Sequence, residues 1–414
     1  MKRFYLALIV SITTAGLHGQ TLDDYLSEAA QNNPGLKASY SSFEAAIKHI
    51  SQVNVLPDPN LSFGYFVSPV ETRVGAQRAK ISLNQMFPWF GTLKLKEEVA
   101  QRNVDIYYQQ FLDHKNQLFF QVKESFYPLY KVKAHLRLQE ENLQILETYR
   151  QLSTTNFANG KGPMTDVLRV EILIENIETE MSLLTAQVRP LEIKFNRLLN
   201  REDSMKVFIA DTLSISLIDS LKSDSVGVNH PKVAAIKSKL QMLQAQEVVV
   251  QKSGFPQMGL GLDYVFINKR PDLDMTNNGK DAIMPMISMT LPVFRRKYTS
   301  ALEENRLLQQ SISYQMEQVE NNLMSEYESI GYEIDKTSQL DELYENQLQK
   351  SKRVLSLLYA AYSNSGKDFE EILRVQQQIL KYEMAQVSVR ADHHIALARL
   401  AYLTAKSELD GRTK

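Results

Sequence analysis

The 414-residue chain contains no cysteine, and it has only 16 glycines and 13 prolines. Without cysteine it can form neither disulfides nor thiolate metal sites, and no cysteine could carry an N-terminal lipid anchor. The formal net charge of −1 and the lack of a long basic run argue against a nucleic-acid partner. After the first twenty residues, no stretch approaches the ~18 consecutive apolar residues of a transmembrane helix.

The first twenty residues form an element of their own. A basic start, Met1-Lys2-Arg3, precedes a mostly apolar run from Phe4 to Gly16, and small or polar residues follow. This pattern is typical of a secretory signal peptide. We therefore predict that residues 1–20 are a signal peptide and that the remainder is exported.

The rest of the chain contains an internal repeat. The segment 157–170, FANGKGPMTDVLRV, returns 205 positions later as YSNSGKDFEEILRV at 362–375. Asn33-Pro34 returns 197 positions later as His230-Pro231, and the strand-like segment 59–65 returns at the same shift as 256–262. The period is too long for a solenoid, so the pattern predicts two fused halves. Each half has the order helix, two strands, very long helix, helix.

These features divide the chain into five predicted segments. They are a signal peptide at 1–20, a first repeat at 21–200, an equatorial connecting segment at 201–229, a second repeat at 230–409 and a tail at 410–414. Two strands are predicted within about 59–88 and two more within about 256–292. The turns that reverse the long helices are predicted at 158–164 and 363–369.

The helices are far longer than those of ordinary globular proteins. Stretches from about Leu93 to Phe157 and from about Arg295 to Ser365 contain almost no helix breakers. Each would extend on the order of 100 Å at ~1.5 Å per residue, so each must pack along other helices. The helix that follows the first stretch has apolar residues at three- and four-residue spacing: Val167, Val170, Ile174, Ile177, Met181, Leu184, Val188, Leu191, Phe195 and Leu198. We call this row, and its counterpart 205 positions later at 372–403, the two seams.

Each predicted strand has one apolar face and one polar or glycine-rich face. The residues expected to face lipid are Leu61, Phe63, Tyr65, Leu260, Leu262 and Tyr264. The opposite face includes Gly261, where a small side chain is expected to be tolerated. A globular sheet would alternate in the same way, but the lengths also fit the ~9–11 residues of a membrane barrel strand. Four strands cannot close a barrel, so in a membrane several chains would have to share one.

The repeat, the hairpin turns and the strand pair that enters a long helix through Gln85-Met-Phe-Pro-Trp-Phe-Gly91 resemble the TolC family of outer-membrane efflux and secretion channels. The resemblance covers nearly all of the predicted mature chain. The Gln85–Gly91 signature is most similar to the heavy-metal branch, which serves resistance-nodulation-division (RND) pumps.

The resemblance implies a mainly α-helical fold with a small β part. Three chains would form a homotrimer with a shared 12-stranded β-barrel in the outer membrane, four strands from each chain. Long antiparallel helical hairpins would form an α-helical barrel in the periplasm. The protein would then be a passive exit duct for metal ions or drugs, without a cofactor and without catalysis. Its partners would be a periplasmic adaptor, an inner-membrane RND-type pump and outer-membrane lipid.

The resemblance also implies a gate at the hairpin tips. Tyr362 and Lys367 match tip positions that the family ties to the neighbouring hairpin, and Thr165 and Asp166 match their partners. The family's two acidic pore residues fall on Glu371 and Arg374, of which only the first is acidic. Three interpretations of these positions therefore remain. They are a charged ring in the pore, an i, i+3 ion pair of Glu371 with Arg374, and an ordinary solvated turn.

Other functions find less support in the sequence. His393 and His394 are adjacent on a predicted helix and point in different directions, so they are unsuited to bind one metal ion. Gly259 and Gly261 are not followed by a phosphate-binding helix, which excludes a nucleotide fingerprint. Two rivals to an efflux channel remain. One is a type I protein secretion channel with the same fold, and the other is a soluble periplasmic coiled-coil adaptor.

Overall fold

The structure is a computed structural model, and it describes residues 21–209, 213–215, 230–272, 274, 276–365 and 369–405, with the side chains of 363–365 left aside. The predicted signal peptide at 1–20, most of the connecting segment, Lys367 and the tail at 410–414 lie outside the described residues.

The two halves contain the same elements in the same order. The first half contains α1 (Leu22–Asn32), α2 (Pro34–Val53), β1 (Asn60–Thr72), β2 (Gly75–Phe87), α3 (Thr92–Ala158) and α4 (Met164–Leu198). The second contains α5 (Pro231–Ser253), β3 (Gln257–Ile267), β4 (Ala282–Thr290), α6 (Arg295–Ser365) and α7 (Phe369–Leu403). The predicted fold class, long helical hairpins with four strands, is confirmed.

The long helices form a layer that is held together by the seams. Helix α3 has 67 residues and α6 has 71. The helices contact one another in the order α4, α3, α7, α6, while α2 packs on α3 and α5 packs against both α3 and α6. All ten positions of each seam, in α4 and in α7, are buried or half-buried. The three- and four-residue spacing therefore marks the face on which each returning helix packs.

The core consists of separate apolar clusters spaced along the helices. One of them lies where the two hairpins meet near their ends, and we call it the tip cluster. Its buried members are Leu146, Tyr149, Val170, Ile174, Ile177, Phe369, Ile372 and Leu373. Because these residues come from α3, α4 and α7, the tip cluster joins the first hairpin to the second.

The four strands form one antiparallel sheet in the order β1-β2-β3-β4. The register places Leu61 beside Leu83, Leu83 beside Leu262, and Leu262 beside Pro285. Side chains in one such row point to the same face, so the apolar faces of all four strands coincide. The other face carries the polar and glycine residues, among them Ser82 and Gly261.

A side chain at Gly261 can be accommodated only if the side chain of Asn84 moves. A Cβ atom at Gly261 would lie 2.3 Å from Oδ1 of Asn84 and 3.3 Å from Cε of Met286. These two residues belong to the neighbouring strands β2 and β4, and their side chains lean over the glycine. Gly64, on the same face of β1, has nothing within 4 Å of its Cβ position. The small side of the sheet is therefore crowded at β3 and open at β1.

Candidate functional site

The apolar face of the sheet is exposed in the single chain. All six residues predicted to face lipid are on it and exposed, from 37% for Tyr264 to 70% for Phe63. Ile81, Leu83, Ile283 and Ile287 extend the same surface across β2 and β4 and are also exposed. A continuous apolar surface of this extent is typical of a region that contacts lipid or another protein.

The opposite face of the sheet carries charge. Nζ of Lys80 lies 2.7 Å from Oδ2 of Asp263, whose side chain is fully buried. A buried carboxylate needs a partner of opposite charge, and Lys80 supplies one. Lys80 itself is 38% exposed, so the polar face can contact water. The sheet therefore separates an apolar surface from a hydrated one.

Aromatic residues cluster where the strands join the helices. The ring of Trp89, after β2, stacks on that of Phe255, before β3, with centroids 5.1 Å apart. Phe90 and Phe294 lie at the same end of the sheet and are almost fully exposed, at 78% and 82%. Such a group is typical of the aromatic belt at a membrane interface, and the connections of both halves contribute to it.

Both the sheet and the helical layer end in unpartnered elements. Among the strands that the structure describes, β1 and β4 are edge strands. In the helical layer, α4 and α6 occupy the corresponding ends. Both helices expose large apolar side chains there: Leu168, Ile172 and Leu183 on α4, and Leu307, Tyr314, Tyr332 and Leu357 on α6. An isolated chain would leave backbone groups and apolar side chains uncovered at both ends.

The predicted gate residues lie at the hairpin tips. Thr165 is exposed and Asp166 is half-buried at the start of α4, and Tyr362 is half-buried near the end of α6. The side-chain amide of Asn156, in α3, donates a hydrogen bond of 2.8 Å to the Tyr362 hydroxyl. Tyr362 is therefore tied to the first hairpin of its own chain, through a residue that the sequence did not single out.

A second polar contact between the hairpins was also missed. Arg169, in α4, forms an ion pair with Glu370, in α7. The sequence contains no signal for this pair, because Asp166 and Arg169 have the same acid–arginine spacing as Glu371 and Arg374. That spacing points to pairing within one helix, and this arrangement holds for Glu371 with Arg374, which form an ion pair within α7.

The electrostatics of the tip follow from this arrangement. Burial raises the pKa of Asp166 above its ordinary value, the nearby Arg169 opposes the rise, and Glu370 adds to it. Since Arg169 is engaged by Glu370, Asp166 has no cation to itself. Glu371, by contrast, is paired with Arg374.

Neither a metal centre nor a helical membrane span is found in the part of the chain that the structure describes. No three histidine or acidic side chains among the described residues come together as metal ligands would. Within the same residues, no helix combines the length and the apolar character needed to cross a membrane.

Comparison with solved structures gives the same fold over nearly the whole chain. CusC superimposes with a TM-score of 0.76 at 17% identity, covering 94% of this chain and 92% of its own. MtrE of Neisseria gonorrhoeae superimposes with a TM-score of 0.74 at 16% identity, covering 92% of this chain and 88% of its own. VceC of Vibrio cholerae superimposes with a TM-score of 0.73 at 14% identity, covering 92% of this chain and 95% of its own. VceC is described as an outer membrane protein, MtrE as an outer membrane channel, and CusC as a protein that forms a transmembrane channel.

Comparison of the sequence with family models gives an independent match over the first half of the chain. No curated protein sequence matches the chain. Residues 25–201, which span α1 to α4 almost entirely, match the sequence model of the family described as outer membrane efflux protein. The resemblance drawn from the repeat and from the Gln85–Gly91 signature is thereby confirmed: the first half of the chain matches the outer membrane efflux protein family, and nearly the whole chain shares the fold of the solved TolC-like channels.

Proposed function

We propose that the protein is the outer-membrane channel of a tripartite efflux system and acts as a homotrimer. The observation that carries this proposal is the exposed apolar face of a sheet with two open edges. In lipid an open edge would leave unsatisfied backbone groups, so β4 of one chain must pair with β1 of the next. Three chains with four strands each give a closed barrel of 12 strands, with Lys80 and Asp263 facing its lumen.

The helical layer supports the same assembly. When β1 and β4 of neighbouring chains pair, the ends of the helical layer, α4 and α6, also come together. The apolar side chains exposed on these helices would then be buried between chains. The helices continue on the order of 100 Å from the barrel, as expected of a tunnel that crosses much of the periplasm.

The partners and the cargo follow from the family. We propose that the tips dock to a periplasmic adaptor, which couples the channel to an inner-membrane RND-type pump. Metal ions or drugs are the proposed cargo, since the Gln85–Gly91 signature resembles the heavy-metal branch. A type I protein secretion channel is the second candidate, because it would use the same fold. A soluble periplasmic adaptor is disfavoured by the exposed apolar face of the sheet.

The experiment has two parts. The exported protein should fractionate with the outer membrane, and native mass spectrometry in detergent should give the mass of three chains. A monomer in the soluble periplasmic fraction would contradict the channel. Deletion of the gene then separates the two candidates: sensitivity to heavy-metal ions or drugs supports efflux, whereas loss of a secreted protein from the medium supports secretion.

A further inference from the structure

The two halves of the chain begin their strand-preceding helices with different capping residues. In the first half Asn33 caps α2: its Oδ1 accepts a hydrogen bond of 3.1 Å from the backbone N–H of Leu36. In the second half the equivalent residue is His230, whose Nδ1 accepts one of 3.1 Å from the backbone N–H of Lys232. A proline follows both caps. Asparagine cannot titrate near neutral pH, whereas histidine can.

The His230 ring is held in a buried polar junction. The His230 ring packs against the ring of Tyr402, in α7. The two ring centroids lie 5.4 Å apart, and the ring planes are nearly perpendicular. The Tyr402 hydroxyl donates a hydrogen bond of 3.0 Å to Asp113, in α3. Lys232 lies over the Tyr402 ring, with Nζ 5.4 Å from its centroid. His230 itself is 1% exposed. The cap therefore lies where α3, α5 and α7 meet.

The hydrogen bonding fixes the neutral form of the ring. Because Nδ1 accepts from a backbone N–H, the ring proton belongs on Nε2. Protonation would place a second proton on Nδ1, directly against the Lys232 N–H, and the cap would be lost. The imidazolium would also lie at the positive end of the α5 dipole and away from water, and both effects disfavour its charge.

Some of the charged groups around His230 raise the pKa of its ring, and others lower it. Burial has the largest effect and lowers the pKa of His230, and Lys232 in α5 lowers it further. Asp113 in α3 and Glu326 in α6 favour the charged ring. Their pull is reduced because Asp113 accepts the Tyr402 hydrogen bond and Glu326 pairs with Arg399 of α7 at 2.8 Å.

We propose that His230 is a pH-sensitive cap, which holds the first turn of α5 in place beside Tyr402 of α7 at neutral pH and releases that turn in acid. Its effect is confined to the second half, because Asn33 performs the same task in the first half without titrating. Since α5 packs between α3 and α6, release of its first turn loosens the contact between the two halves at that end of α5.

The sign of the pH dependence follows from the lowered pKa. The unfolded first turn binds a proton on His230 with an ordinary pKa of about 6.5. The folded turn binds it less readily, so the capped state is favoured above that pH and loses its advantage as the pH falls below it. The equilibrium between the capped and the open turn should shift by up to about tenfold per pH unit in this range.

Hydrogen exchange on the full-length protein in detergent tests the proposal directly. The readout is the protection of the backbone amides of Lys232 and Ala234, divided by that of Leu36 and Lys37 in α2, at pH values from 5 to 8. The ratio removes the intrinsic pH dependence of exchange, because both sites are first turns of similar helices. In the wild type it should fall below about pH 6.5, by up to about tenfold per unit.

Three substitutions complete the test. His230→Asn restores the cap of the first half and should keep the ratio constant with pH, and His230→Ser is a second variant with the same expectation. His49→Asn, at an exposed histidine of α2, should behave as the wild type does. A constant wild-type ratio would overturn the proposal. An equal fall of the ratio in His230→Asn would also overturn it. A ratio in His230→Asn that is lower than that of the wild type by the same factor at every pH would do so too, because His230 would then have only a structural role.

Discussion

The side-chain amide of Asn156, near the end of α3, donates a hydrogen bond to the hydroxyl of Tyr362, near the end of α6. The two residues are 206 positions apart in the sequence. The Tyr362 ring also lies 5.8 Å from that of Phe369, at the start of α7, which belongs to the tip cluster. One tyrosine thus connects the end of the first long helix with the turn of the second hairpin.

This arrangement predicts how the tips can be opened. Tyr362→Phe combined with Arg169→Gln removes the hydrogen bond to Asn156 and the ion pair with Glu370, two of the polar contacts between the hairpins. Exposed polar pairs contribute only about 0.2–1 kcal/mol each, so the protein should stay folded while its tips loosen. Single-channel conductance in planar bilayers should rise clearly above that of the wild type.

A matched control for the tip variant lies one turn away. Arg374→Gln breaks an ion pair that is internal to α7 and should leave the conductance unchanged. Adding Lys367→Ser to the double variant should increase conductance further if Lys367 has the role that the family resemblance implies. High salt should move the wild type part of the way, because exposed pairs are screened over ~3 Å at 1 M. Equal conductance in the double variant, Arg374→Gln and the wild type would exclude these contacts as the lock.

The seam of α4 yields a prediction about stability. Ile174 is 5% exposed and belongs to the tip cluster, so Ile174→Ala leaves a cavity between α4 and its neighbours. The substitution should destabilise the protein by roughly 2–5 kcal/mol, measured as a lowered thermal unfolding temperature. Thr185→Ala is the control, since Thr185 is exposed and its hydroxyl bonds only to the carbonyl of Met181 in its own helix. Similar shifts for the two variants would mean that the seam does not carry the packing.

The repeating features of the fold could be predicted from the sequence. The seams and the alternating strands depend on local periods, and both halves carry the same pattern, as Val170 and Val375 illustrate. Burial follows such periods because a helix or a strand presents one face to its neighbours. The order of the elements and the common apolar face of the sheet therefore followed from single segments.

The polar contacts and the crowded glycine could not be predicted in that way. Asn156 and Tyr362, like Arg169 and Glu370, meet only because two separate hairpins pack side by side, and no period in either hairpin marks them. The crowding at Gly261 depends on side chains from β2 and β4, and therefore on the register of three strands. Such contacts require the tertiary arrangement rather than the pattern of any one element.

The two faces of the sheet predict opposite tolerances for charge. Leu262 lies on the exposed apolar face near the middle of β3, and Leu262→Arg should destabilise the membrane-inserted protein by about 2–4 kcal/mol. Met284, on the polar face of β4, pairs in register with Asp263, and Met284→Arg should be mild because its charge would lie in water near a carboxylate. The yield of assembled protein in the outer membrane and its melting temperature report both effects. The reverse ranking would exchange the lipid-facing and lumen-facing sides.

The glycines of the polar face make a prediction that depends on the register alone. Gly261→Ala would place a Cβ atom 2.3 Å from Oδ1 of Asn84, so that side chain must move. Overpacking destabilises by about 1–3 kcal/mol, and the lower end of this range is expected here because only the end of one side chain is in the way. Gly64→Ala has open space on the same face, and it should be neutral or stabilise by up to about 1 kcal/mol, because alanine restricts the unfolded chain.

Thermal unfolding of the assembled protein distinguishes these glycine variants, and a third substitution shows the cause. If Asn84 is the obstacle, combining Gly261→Ala with Asn84→Ala should recover most of the lost stability, because the shorter side chain no longer reaches over β3. Asn84→Ala alone should have a small effect, since the structure shows no hydrogen bond from its side chain to any described residue. The idea fails if Gly261→Ala and Gly64→Ala shift the melting temperature equally. A double variant no more stable than Gly261→Ala would instead place the obstacle at Met286, whose Cε lies 3.3 Å from the same point.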